Sequence, residues 1–280
     1  MSYQILNYDP ILKNYEADID LRMNLYKKKH KELVKRGKTL SDFANAHHYF
    51  GFHRTEDGWI YREWAPAADA VYLTGDFNHW DLTACPMQPL DGGVFELAIP
   101  ASSGLTPGQR VQTIVIHNGQ TLRRIPLYAT RVVQDPHDNS WCAELEETLE
   151  LFPWTDANFR PEKTPFIYEC HIGMAQEEGK VGSYREFREN ILPRVKDQGY
   201  NTIQIMAIME HPYYGSFGYQ VSNFFAASSR YGHSAELKEL IDTAHSMGIA
   251  VLLDVVHSHA VKNTAEGINE FDGTDYQFFH

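Results

Sequence analysis

Three regimes of hydrophobic patterning follow one another along the chain. Between Tyr15 and Arg36 the apolar positions Ile19, Met23, Tyr26 and Leu33 recur mostly at three-, four- and seven-residue spacing, which predicts one amphipathic helix stopped by Gly37. The lysines Lys27, Lys28 and Lys29 on that helix read as a solvated face. A shorter helix is expected to open at Ser41 and end near Gly51. From Trp59 to about Glu144 the period becomes two. The runs Trp59–Trp64, Ala70–Thr74, Gly93–Ile99 and Val111–Ile116 alternate apolar and polar residues, and Gly, Pro, Asn and Asp separate them. Short alternating runs with such punctuation predict a small antiparallel β-sandwich.

Beyond Leu151, three prolines within 153–165 interrupt any regular element and mark a linker at 151–165. The pattern then becomes strand, helix, strand, helix, strand. Phe166–Ile172 and Thr202–Ile208 are predicted strands. Ser183 with Glu186 forms a capping box for a helix carrying Phe187, Ile191, Leu192 and Val195 on one face up to Gly199. A second helix, capped by Ser234, carries Leu237, Leu240, Ile241, Ala244 and Met247 up to Gly248. The third strand, in Ala250–Val256, is a short apolar run, the pattern of a strand buried on both faces. This alternation predicts βαβ units and a parallel sheet. The expected organisation is a helical segment (1–50), a sandwich (51–150), a linker (151–165) and an α/β domain (166–280).

Composition narrows the partners. Acids outnumber bases 37 to 25, for a net charge of −12, and such a balance argues against nucleic acid or an anionic membrane as partner. Cys85, Cys142 and Cys170 are odd in number and lack metal-ligand spacing, which fits reduced thiols in the cytoplasm. No apolar run reaches membrane-spanning length. Aromatic residues make up 13% of the chain, and aromatic faces suit sugar rings, although most such residues serve as core.

Chemistry-bearing residues gather where the third strand ends. In a parallel α/β domain that end faces ligands, and here it carries Asp254, His257 and His259. Their spacing is not that of a structural zinc site, so neither metal nor cofactor is expected. Recognition of a polar ligand stands against a strand-end acid capping backbone amides. The loop after the second strand is long and aromatic, and its Tyr219 either presents a ring to a sugar or packs against Phe224 or Phe225.

The run Asp254-Val-Val-His-Ser-His259 resembles the first conserved motif of the α-amylase family, which ends the third strand of a (β/α)₈ barrel. Ser216–Val221 with Phe224–Ala226 and Arg230–Gly232 resembles the second-strand loop of the 1,4-α-glucan branching enzymes within that family. Glu63-Trp-Ala-Pro66, with Leu73–Asn78 and Trp80, is similar to the immunoglobulin-like, carbohydrate-binding sandwich that precedes their barrel. His257–Ala260 and Phe271–Asp275 look like the eukaryotic type. The resemblance implies that Tyr219 borders a sugar at the cleavage subsite, that His259 bonds its hydroxyls and that Asp254 orients neighbouring groups, with His257 unassigned. It implies Trp64, Pro66 and Trp80 as candidates for a surface glucan contact, although a Trp in a small sandwich is more often core. The implied ligand is an α-1,4-glucan: glycogen, starch or a maltooligosaccharide.

The family retains anomeric configuration with an Asp nucleophile after the fourth strand and a Glu acid/base after the fifth. Three strands are legible here, in fewer than half of the roughly 250 residues of a complete barrel. The catalytic pair is therefore expected beyond residue 280, and the chain alone is expected to be inactive. An open third strand and unpartnered apolar faces lead to an expectation of truncation, completion by another chain, or self-association, with the sandwich and N-terminal helix as the self-sufficient part. Two alternatives stand beside this one: a parent of debranching or amylase type, and a chain that acts only as a glucan-binding module.

Overall fold

In a computed structural model, residues 3–34, 38–146 and 152–278 are described. The chain divides into two compact units, Met1–Tyr49 and Phe50–His280. In the first, a helix spans Glu16–Leu33. Its predicted stripe holds in part: Ile19, Met23 and Leu33 are half-buried, while Tyr26 is exposed. The expected stop at Gly37 lies outside the described residues. The short helix that follows is Leu40–Phe43, and its cap is Thr39, not Ser41. Thr39 Oγ1 accepts from the Asp42 N–H at 3.2 Å, and the Asp42 carboxylate accepts from the Thr39 N–H at 2.6 Å.

The second unit opens with the sandwich. One sheet has the order β1-β2-β5-β4, made of Gly51–Thr55 (β1), Gly58–Trp64 (β2), Gln88–Leu90 (β4) and Val94–Pro100 (β5). The other is β3-β6-β9-β8, with β7 also on β6, made of Ala70–Gly75 (β3), Arg110–His117 (β6), Gln120–Arg124 (β7), Val132–Gln134 (β8) and Trp141–Glu144 (β9). All pairings are antiparallel. The pleat sends alternate residues to opposite faces. Along β2, Trp59, Tyr61 and Glu63 are buried, while Ile60, Arg62 and Trp64 are half-exposed. On the outer face Arg62 pairs with Glu96, its direct cross-strand neighbour, at 2.6 Å. The predicted end of the sandwich at 150 lies outside the described residues, as does Leu151.

The third layer is a parallel sheet, β10-β11-β14, of Ile167–Cys170 (β10), Thr202–Ile205 (β11) and Ala250–Leu253 (β14). The Ser183–Glu186 capping box forms as predicted. The first crossover helix then widens into a π turn over Phe187–Ile191 just before Pro193. Proline has no N–H to donate, and the wider turn carries the helix through it while keeping Phe187 and Leu192 buried. The second crossover helix is Ser234–Ser246, with Leu237, Leu240 and Ala244 buried. Its cap is the residue before the expected one: the Glu236 carboxylate accepts from the His233 N–H at 2.9 Å, while the Ser234 hydroxyl bonds Glu146 at 2.6 Å.

Two expectations change. The third strand is not buried on both faces, since it is an edge strand, and Leu252 and Leu253 are 44% and 42% exposed. The sandwich core also does not close on its own residues. Its buried cluster takes in Ala226, Ile268 and Phe271 from loops of the α/β part. The segment 152–165 is held to the second crossover helix: Thr155 bonds Asp242 through N–H and hydroxyl, each at 2.8 Å, and Phe159 stacks on His245 with centroids 4.1 Å apart.

Candidate functional site

The site lies past the C-terminal ends of the parallel strands. Asp254 is the first residue beyond β14, and its N–H donates to the Ile205 carbonyl at 2.9 Å, which extends the ladder by one bond. Val256 is then buried with Ala207, Met209 and Val221, and this anchors the departing chain. The long loop after β11 contains a small hairpin, Met209–Glu210 (β12) with Asn223–Ala227 (β13), and a tight turn at Tyr214–Ser216. Phe217 and Gly218 both adopt positive φ, at 53° and 91°. A Cβ at Gly218 would lie 1.8 Å from the Ala207 carbonyl oxygen, so only glycine lets the loop lie this close to the end of β11.

That close approach delivers Tyr219. Its hydroxyl donates to Asp254 Oδ2 at 2.7 Å. The bond to Asp254 is the main reason the phenol is pushed up to about 12, with burial and the nearby charges of Asp254 and Glu169 adding to it. His259 Nε2 lies 2.7 Å from the Tyr219 carbonyl oxygen. A carbonyl can only accept, so Nε2 carries the proton, and in the neutral ring Nδ1 accepts from the Ser258 hydroxyl at 2.9 Å. The Val261 N–H bonds the Val221 carbonyl at 2.8 Å, which ties the two loops side by side. Tyr219, Asp254 and His259 thus converge, and Tyr219 remains 37% exposed.

His257 turns the other way, with its ring 5.4 Å from that of Phe224. Phe225 stacks on Tyr128 of the sandwich at 4.5 Å. In the sandwich, Trp64 is half-buried, and its indole N–H donates to the Gly92 carbonyl at 3.1 Å. Pro66 is exposed. Trp80 is half-buried, and its indole N–H bonds Asp76 at 3.1 Å.

Sequence reasoning missed several groups around the wall. Glu169 on β10 and Gln204 on β11 face each other across the sheet, joined at 3.1 Å. They occupy the face opposite Tyr168 and Ile203, and two polar residues on one face of adjacent apolar strands was the available signal. Below the loop, Tyr231 places its hydroxyl 3.1 Å from His171 Nε2 and 3.5 Å from His211 Nε2. Burial holds both imidazoles below their ordinary pKa. His171 Nδ1 is buried without a partner. These groups lie far apart in sequence, and only the fold brings them together. Among the described residues, no group of three or more His, Cys, Asp or Glu side chains could hold a metal ion.

Residues 49–137 match the family model for carbohydrate-binding module 48 (isoamylase N-terminal domain), and residues 189–278 match that for the alpha amylase catalytic domain. A pullulanase from Bacillus acidopullulyticus has a similar structure, with a TM-score of 0.64, 21% identity, and coverage of 82% of this chain and 32% of that one. A Group B Streptococcus pullulanase solved with maltotetraose gives 0.63 at 21% identity, covering 76% of this chain and 34% of that one. The chain therefore joins a carbohydrate-binding module 48 sandwich to the start of an alpha-amylase catalytic domain. Within that class it is similar along nearly its whole length to the 1,4-alpha-glucan-branching enzymes. It is 46% identical to the horse enzyme (Equus caballus) and 45% to that of Emericella nidulans, over 99% of this chain in each case. The match to a chloroplastic/amyloplastic enzyme of Arabidopsis thaliana is 42%, again over 99% of this chain. The chain spans 40%, 42% and 35% of the length of these three relatives.

Proposed function

We propose that this chain supplies the glucan-binding module and one wall of a glucose subsite for a protein that moves α-1,4-glucan segments onto 6-hydroxyls. The observation that carries the reading is the clasp of Tyr219 between Asp254 and His259 at the strand ends, in a chain similar along nearly its whole length to the branching enzymes. Tyr219 offers a partly exposed ring face to a sugar, and Asp254, held by the phenol, fixes that ring. His259 buttresses the Tyr219 backbone, and the exposed Ser258 hydroxyl on its Nδ1 is exchangeable for a sugar hydroxyl. Asp254 acts here as an acceptor that positions Tyr219. The bond-breaking carboxylates belong to the part of the protein that this chain does not contain, where the parallel sheet continues into a closed barrel.

Titration of the chain with maltoheptaose tests this reading. Binding is expected to weaken about tenfold, or 1.4 kcal/mol, in Tyr219→Ala, and less in His259→Ala. Unchanged affinity in Tyr219→Ala would remove it from the wall. Incubation of the longer protein with amylose separates branching from hydrolysis, because new α-1,6 linkages support the first and reducing ends alone the second.

A second reading assigns glucan contact to the sandwich, supported by the module 48 match and by the outward position of Trp64 on β2. Glycogen co-sedimentation of Trp64→Ala, Pro66→Ala and Trp80→Ala variants decides it, since full retention by all three would exclude this face. The buried free thiols Cys142 and Cys170 fit a cytoplasmic location, which cell fractionation tests against a plastid such as that of the Arabidopsis relative.

A further inference from the structure

The loop carrying Tyr219 leaves the sheet at Glu210 and returns through Ser228. Its neck has little ladder to hold it. β12 and β13 pair at two registers, Met209 with Ala227 and Glu210 with Asn223, with an irregularity between them. So short a pairing is marginal by itself. The side chain of Glu210 does what the ladder does not. It is fully buried. Oε1 accepts from the His211 N–H at 3.0 Å and the Ser228 hydroxyl at 3.3 Å, and Oε2 accepts from the Ser229 N–H at 2.7 Å. Its backbone carbonyl takes the Ser222 N–H at 2.8 Å and the Ser222 hydroxyl at 3.0 Å. One residue therefore gathers donors from the outgoing chain, the middle of the loop and the returning chain.

We propose that Glu210 is a positioning residue: its carboxylate ties the two ends of the loop and thereby holds the Tyr219 hydroxyl on Asp254. The proposal rests on the reading of Tyr219 as the sugar-facing ring. Two backbone N–H groups aimed at one side chain call for an acceptor at both oxygens. Glutamine would put an NH₂ against one of those donors and leave both unsatisfied. With its ends fixed, the loop has far fewer conformations available, and the bond between Tyr219 and Asp254 forms from a pre-arranged geometry. Released ends would let Tyr219 sample positions off Asp254 with the rest of the sheet unaffected.

The 280-residue chain with ¹³Cζ-labelled tyrosine tests this at neutral pH. The Tyr219 signal is assigned by its loss in Tyr219→Phe, and Asp254→Ala provides the position of a phenol without its carboxylate. Glu210→Gln is expected to move the Tyr219 signal at least halfway to that position. Amide exchange across 211–229 should rise about tenfold while Trp59–Glu144 keeps its protection. Ser229→Pro is the second variant and decides the matter if Glu210→Gln does not fold. It removes one donor at the first residue of a tight turn, and Ser228 before it is already extended (φ −58°, ψ 119°) as a following proline requires. It should move the signal in the same direction. A Tyr219 signal that stays at its wild-type position in the folded variants would overturn the proposal, as would loss of sandwich and loop protection together. Maltoheptaose affinity of Tyr219→Ala tests the underlying reading separately: unchanged affinity refutes the sugar-facing ring, while the Glu210 tie still stands or falls on the tyrosine signal.

Discussion

Alternation along β2 sends Glu63 inward with Trp59 and Tyr61, and so places a carboxyl group where water does not follow. One oxygen accepts from the Leu127 N–H at 3.2 Å, and the other has no partner. Burial pushes the carboxyl up from 4.5 to about 8, against smaller opposing effects of the Leu127 amide and the Tyr61 hydroxyl. The unfolded chain thus releases this proton at lower pH than the folded one. The stability from neutral Glu63 is fully present below about pH 4.5, is lost progressively as pH rises to about 8, and does not change further above that. The loss is at most about 5 kcal/mol. Glu63→Gln should flatten the pH dependence of the urea midpoint between these limits, and an unchanged slope would show that Glu63 ionises freely. The inward position follows from the alternation, but the missing partner was not legible, because it depends on what β7 and the following turn bring opposite.

At the scale of elements, the crossover helices were legible because each carries a full stripe and a cap within a few residues, as with Ser183 and Glu186. The strands β1, β4, β7, β8 and β9 were not singled out. They are three to five residues long and give too few alternations to distinguish from loop. Legibility failed most between the sandwich and the loop after β14. Arg124, only 6% exposed, donates to the carbonyls of Glu270 and Phe271 at 3.1–3.3 Å. Asp272, buried, accepts from the Ala67 N–H at 3.1 Å. Gly273, at φ 94°, lies so close to the His117 ring that a Cβ would fall 2.6 Å from it. These partners are more than a hundred residues apart, and no local pattern announces them. Truncating Arg124 removes the donor of the buried Phe271 carbonyl, which costs about 1–3 kcal/mol, while the Glu270 carbonyl keeps the Gly273 N–H at 3.0 Å. Arg124→Ala is therefore expected to lower the melting temperature and expose 263–278 to exchange before the rest of the sandwich. Simultaneous exposure of both regions would argue that the clasp is not a separate element.

For the unit as a whole, the sheet β10-β11-β14 is covered on one face by its crossover helices, while Phe166, Ile167, Leu252, Leu253 and Val255 stay 41–55% exposed. Both β10 and β14 are edges, and an edge with exposed apolar side chains is a template for pairing with another chain. The curated relatives are more than twice as long as this chain, so in a longer protein further strands could take up these edges. In the isolated 280 residues, a second copy is the available partner. We therefore expect concentration-dependent self-association by sedimentation velocity over about two decades of concentration. Leu252 lies level with Gln204 on the face opposite the buried Ile203 and Ile205. A charge there opposes pairing without touching the buried side of the sheet, so Leu252→Lys should return the chain to monomer while the far-ultraviolet spectrum stays unchanged. Monomer at every concentration in the unmodified chain would mean that twist and the flanking loops already protect β14.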